Sequence, residues 1–217
     1  MNRSLRLFGG IFCLTRATLY LLAELVSALA SSAPLEAYFL HTISELGVPL
    51  GGVFDGLASD FSPLYRYMNG ALILAGLTFL PCSYFCIADE IGRGTRAACL
   101  VFAFFAGLGV AGVGIFHQGS QSVTFSHNFS AFSAFFCGNV FLLLTGLFIR
   151  SPVFRKISLV LGIAGLTAVA VMIVFIFSPL SAFQAIPERI TVYTLVIWEI
   201  VGGIRLLRPR PEKKGKK

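Results

Sequence analysis

Six runs of about 20 apolar residues govern what this chain can fold into, because each is long enough to cross the hydrocarbon of a bilayer as a helix. They lie at roughly 8–30, 69–89, 97–117, 128–149, 157–180 and 189–207. A backbone in lipid must satisfy its own N–H and C=O groups, and the runs lack the two-residue alternation of a barrel strand, so helices are expected. A water-soluble globule is excluded on the same ground. Of 217 residues 56% are apolar and 12% charged, about half the charged share of a soluble domain, which leaves too few polar side chains to cover a surface. The expected fold is all-α: one polytopic bundle of six transmembrane helices over 1–207, then a basic tail over 208–217.

The connections divide by charge. With the N-terminus in the cytoplasm, that side receives 14 of the 17 Lys and Arg, from Arg3 and Arg6 through Arg93, Arg96, Arg150, Arg155 and Lys156 to the seven from Arg205 onward. Only Arg66 and Arg189 face outward, and Arg16 lies within a span. Positive-inside sorting therefore puts both termini in the cytoplasm, with the plasma membrane as the expected location. Ala28-Leu29-Ala30 before Ser31 resembles a signal-peptidase site, but the preceding apolar stretch is too long and is interrupted by Arg16 and Glu24, so it is read as a retained span. The basic tail is expected to touch anionic lipid. The charge of +7 has no basic face with interleaved aromatics, which argues against nucleic acid. No lysine falls within a predicted span, which excludes a retinal-type Schiff base. The five cysteines lie in or at the ends of apolar runs and read as small membrane hydrophobes.

The first outer connection, 31–68, is too long for a plain loop. From Pro34 to Leu46 it reads as a short amphipathic helix lying on the membrane surface, with Leu35, Phe39, Thr42 and Leu46 on one stripe and Gly47 as a left-handed cap before Pro49. His41, Ser44 and Glu45 share its other side. Asp55, Asp60, Arg66 and Asn69 follow. His117 closes the third span, His127 opens the fourth, and Glu188 and Arg189 open the sixth, so all three histidines and several charges fall in one outer layer. Polar groups at membrane depth are costly, and their convergence marks a candidate site. Glu45, His127 and Glu188 are the candidate acid/base residues; His41, Ser44, Asn69, His117 and Arg189 are the candidate substrate contacts. Zinc on His41, His117, His127 and Glu45 suits the ligand types, but no H-E-x-x-H spacing supports it, so no cofactor is expected. Asn128-Phe129-Ser130 fits a glycosylation sequon at the lipid boundary.

Two charges lie deeper. Arg16 and Glu199 each sit about eight residues from the cytoplasmic end of their spans, a shared depth of roughly 12 Å at the helical rise, and are expected to pair. Glu24 lies two turns further out, with Arg189 or His127 as its expected partner. Gly107, Gly109, Gly112 and Gly114 in span three, and Ser130, Ser133, Ala134 and Gly138 in span four, form matching faces for close helix approach.

Ile43-Ser44-Glu45-Leu46-Gly47 followed by Pro49, Asn69-Gly70 opening a span, Gly114-Ile115-Phe116 before a loop, His127, and Pro187-Glu188-Arg189 occur in an order that resembles the bacterial and archaeal six-span family known as domain of unknown function 998. The likeness covers about 8–205. It implies a six-helix membrane architecture and supplies no reaction. A more distant likeness, through the S-[DE]-x-G motif with Glu45 in place of aspartate and a histidine opening span four, is to eukaryotic membrane proteins that remodel glycosylphosphatidylinositol lipids, which inclines the reading toward lipid chemistry.

The expected function is binding or modification of a lipid or lipid-linked substrate at the extracytoplasmic face. A small transporter or channel with Glu24 and Glu199 in a proton path is the alternative, although spans one to three and four to six show no repeat. A scaffold without chemistry is the third. Membrane lipids are the expected partners; the sequence carries no signal of oligomeric state.

Overall fold

The computed structural model describes residues 1–49, 52–54, 57–59, 62–118, 123–180 and 183–209. Asp55, Asp60 and the basic tail from residue 210 lie outside the described residues. Six long helices carry the architecture: α1 (Arg3–Leu29), α3 (Tyr65–Ile87), α4 (Arg93–Ile115), α5 (Thr124–Phe148), α6 (Pro152–Ile176) and α7 (Ala185–Leu207). Each is long and apolar enough to cross a membrane. Between α1 and α3 lie a short helix, α2 (Pro34–Phe39), a 3-10 turn (Glu45–Gly47) and an antiparallel hairpin of β1 (Gly52–Phe54) and β2 (Leu57–Ser59) in which Val53 pairs with Ala58. The all-α class holds, with this hairpin as a small addition.

The helices begin four or five residues before the apolar runs that betray them. The first turn of a helix leaves N–H groups unpaired, so it tolerates polar residues that a hydropathy reading assigns to the loop. One consequence is a correction: Lys156 belongs to α6, exposed near its start, so one spanning helix does carry a lysine.

The helices close into a ring in which α1 meets α3, α3 meets α4, and so on to α7, which packs back on α1 and also touches α3 and α5. Large apolar groups such as Phe125 and Phe177 are more than 80% exposed on the outside of the bundle, where lipid is their solvent. Inside, a core of large apolar side chains such as Phe79, Phe141, Phe154 and Trp198 packs together with small and polar residues. Gly109 lies against the α5 backbone at Ala134, where an added Cβ would collide, while Gly138 faces Leu195 of α7 rather than α4 as its position in the sequence implies. Asn139 of α5 accepts from Thr194 Oγ1 at 2.7 Å and donates to the Thr191 carbonyl at 3.2 Å, and Trp198 Nε1 donates to Ser158 Oγ of α6 at 2.8 Å. Such bonds between helices are the available glue where burial from water supplies no driving force. The cysteines are free; Cys13 and Cys86 bring their sulfurs to 3.9 Å in the α1–α3 core.

α1 begins and α7 ends on one face, the terminal face, where Arg6 donates to the Arg205 carbonyl and Arg205 pairs with Glu90 at 2.6 Å. The opposite, or loop, face carries α2 and the 3-10 turn. Gly109→Val is expected to cost about 1–3 kcal/mol through overpacking, whereas Gly94→Val, with open space at its Cβ, stays within about 0.5 kcal/mol; unfolding in detergent micelles measures both.

Candidate functional site

At the loop face the chain turns back on itself instead of continuing as a surface helix. Thr42 and Glu45 form a capping box: the Glu45 carboxylate accepts the Thr42 N–H, and Thr42 Oγ1 accepts the Glu45 N–H at 3.3 Å. This T-x-x-E pair starts a new turn, so α2 ends at Phe39 and the expected helix through Leu46 is two pieces. Leu35 and Phe39 point outward while Ile43 and Leu46 enter the core. Gly47 is not a left-handed cap either. Its place is set by Asn69 of α3, whose Oδ1 occupies the space a Cβ would need and whose Nδ2 donates to the Gly47 carbonyl at 2.8 Å. Asn69 thus pins the turn to the bundle.

That fold brings His41, Ser44 and Glu45 against the start of α7. His41 Nδ1 lies 3.2 Å from Glu45 Oε2, Ser44 Oγ donates to Glu188 Oε1 at 3.2 Å, and Arg189 Nη1 donates to the His41 carbonyl. Arg189 also pairs through Nε with Glu24 of α1 at 3.3 Å and lies over the Tyr38 ring, 5.2 Å from its centroid. Tyr193 OH donates its one proton to Glu24 Oε1 at 2.8 Å, so the 2.8 Å bond between Tyr38 and Tyr193 is donated by Tyr38. Glu24, Glu188 and Arg189 are each at least 90% buried.

Sequence reasoning missed the tyrosines. Their signal was present: Tyr20 precedes Glu24 by one turn, and Tyr193 follows Arg189 by one turn, the spacing at which helical side chains meet. Tyr20 OH, Glu24 Oε2 and Arg189 Nη2 are buried without hydrogen-bond partners among the described residues. A buried polar atom left unpaired costs about 1–3 kcal/mol.

The expected site residues divide into two groups. His127 is buried at the start of α5 and donates through Nδ1 to the Phe116 carbonyl at 2.8 Å, which leaves Nε2 as an acceptor. His117 uses Nδ1 on the Gln118 carbonyl at 3.0 Å and sets its ring edge-on to Tyr65. Among the described residues, no hydrogen bond or ion pair joins either histidine to Glu45, Glu188 or Arg189, and no three His, Cys, Asp or Glu side chains converge as metal ligands. The four residues weighed for zinc are therefore not gathered.

Residues 17–205 match the family described as "Protein of unknown function (DUF998)". The chain belongs to this family. No curated protein and no solved structure matches it. With its six apolar helices, this DUF998 member is a multi-pass membrane protein.

Below the cluster, the DUF998 bundle encloses a narrow cavity of about 50 Å³. Its wall is apolar except at the two ends, where Glu188 and Arg16 line it, and Tyr20 lies between them. Arg16 pairs through Nη1 with Glu199 Oε2, a carboxylate with no exposure at all, and its other nitrogens donate to the Ala75 carbonyl and Thr78 Oγ1 of α3. One arginine thus ties α1 to both α7 and α3. Removing one partner of a buried pair leaves the other charge stranded at about 3–5 kcal/mol, whereas replacing both by apolar groups is close to neutral. Arg16→Met and Glu199→Met are each expected to lower stability by that amount and the double variant by less than either; a double-mutant cycle from unfolding in micelles measures the coupling.

Proposed function

We propose that this DUF998 protein binds and modifies a lipid or lipid-linked molecule at its loop face, with the anionic head group held by Arg189. What supports the reading is Glu188, buried in the wall of an apolar-lined cavity, with the buried Arg189 next to it on α7. A head group supplies the polar partner that Arg189 Nη2 lacks, and the apolar wall of the small cavity suits the end of a hydrocarbon chain better than a water-soluble solute. Glu188 is the acid/base group nearest the cavity, and Glu45, bonded to His41, is the second. His127 stands apart and is assigned no chemical role.

The charge distribution supports the topology that goes with this proposal, with the basic terminal face in the cytoplasm, the site on the extracytoplasmic side of the plasma membrane, and the tail against anionic lipid. One observation favours a second reading, a proton path. The same cavity runs from Glu188 to Arg16, the partner of Glu199, so buried carboxylates stand near both its ends.

Lipid mass spectrometry on cells with and without the protein separates the two. A lipid reading predicts at least one lipid class changed tenfold, with the change reproduced by Glu188→Gln and by Arg189→Gln at normal membrane abundance. An unchanged lipid profile overturns it, and proton uptake into vesicles that Glu188→Gln abolishes then identifies the path.

A further inference from the structure

A second space lies outside the bundle wall, and it is built differently from the cavity inside. Between α1 and α3 a groove of about 380 Å³ opens to the membrane, within the size range of small-molecule sites. Arg66, on the first turn of α3, stands at its loop-face end, and Arg16 and Thr78 mark its deep end. From Arg66 to Thr78 at the helical rise is about 18 Å, close to the half-thickness of a bilayer's hydrocarbon, about 15 Å. The groove therefore runs the depth of one leaflet.

Its mouth is cationic. Among the described residues, the exposed Arg66 has no carboxylate partner and one hydrogen bond, from Nε to the Tyr65 hydroxyl at 2.9 Å. Tyr67, half-exposed, also lines the groove, and aromatic side chains of this kind sit at the head-group level of membranes. Its lining mixes large apolar residues such as Phe12, Leu19 and Leu74 with the small Gly70, Ala71 and Ala75, and at Gly70 a side chain would meet open space. Three residues, Arg16, Tyr20 and Ala75, line both this groove and the inner cavity. The two spaces share that wall, and Tyr20 in it carries a hydroxyl without a hydrogen-bond partner among the described residues.

From this geometry we infer that an anionic phospholipid of the loop-face leaflet docks in the α1–α3 groove, its phosphate on Arg66 and one acyl chain along Gly70 to Thr78. The wall at Tyr20 is the gate through which the end of that chain reaches the small inner cavity, so the substrate reaches the site sideways from the membrane and not from water. The inference rests on the lipid reading above for what happens beyond the gate.

The test uses the full chain in vesicles of four parts phosphatidylcholine to one part phosphatidylglycerol, doped with phosphatidylglycerol carrying a photoreactive diazirine in its acyl chain. After irradiation, labelled residues are mapped by peptide mass spectrometry. Labelling of Ala71, Leu74 and Leu19 in the groove, and of Val110 and Val192 inside, is expected to exceed that of the lipid-facing Val160 and Val174 of α6 by at least fivefold. Gly70→Trp fills the groove and is expected to remove both sets of labels while the α6 background stays. Arg66→Gln is expected to abolish the preference for this probe over a phosphatidylcholine probe. Groove labelling no higher than α6, or inner labelling untouched by Gly70→Trp, overturns the lateral route. If that route fails while Arg189→Gln still alters cellular lipids, the function stands without it; if the groove labels as expected while no site variant alters lipids, the groove stands and the function falls.

Discussion

A charge at bilayer depth has to find its partner inside the protein, and that constraint organises this molecule. Glu24, Glu188 and Glu199 are all but fully buried in or beside apolar helices. Their partners are drawn from other segments: Arg189 for Glu24, Ser44 for Glu188, Arg16 for Glu199. α7 takes part in every one of these links, and in the Asn139 and Trp198 bonds as well. It is consequently the helix that fixes the ring, since apolar contact alone distinguishes poorly between neighbouring helices when lipid offers the same contact.

The polar layer at the loop face depends on a local event, the capping box of Thr42 and Glu45. By ending α2 early it turns Ile43 and Leu46 into the bundle and swings Glu45 and His41 toward α7. Asn69 then locks the turn through the Gly47 carbonyl. A single glutamate in this way caps a turn and faces the histidine that Arg189 grips by its backbone. The cluster is held by backbone atoms as much as by side chains, which keeps its geometry while leaving polar atoms of Arg189, Glu24 and Tyr20 unpaired.

Much of this was legible in the sequence because the lipid imposes one-dimensional rules. The number and order of spans follow from run length. The level placement of Arg16 and Glu199 follows from rise per residue, and the two side chains meet. What was not legible depends on rotation and on turns. His127 shares a layer with Glu45 and Arg189, but membrane depth says nothing of position around the ring, and its bond goes to Phe116 instead. The long surface helix failed because amphipathic spacing was weighed without the T-x-x-E pair inside it. Gly138 shows the same limit, since a small residue announces a close approach without naming the neighbour, here Leu195.

The pairing of Arg16 with Glu199 joins residues 183 positions apart, and this has a consequence for biosynthesis. At ribosomal speeds of about 5–20 residues per second, the first helix waits roughly 10 to 40 s before its counterpart is made. During that delay the guanidinium depends on the Ala75 carbonyl and Thr78, which are synthesised soon after it. The hairpin of α1 and α3 is therefore the early refuge of a stranded cation, and a nascent chain halted before α7 carries that cation with no anion to meet it.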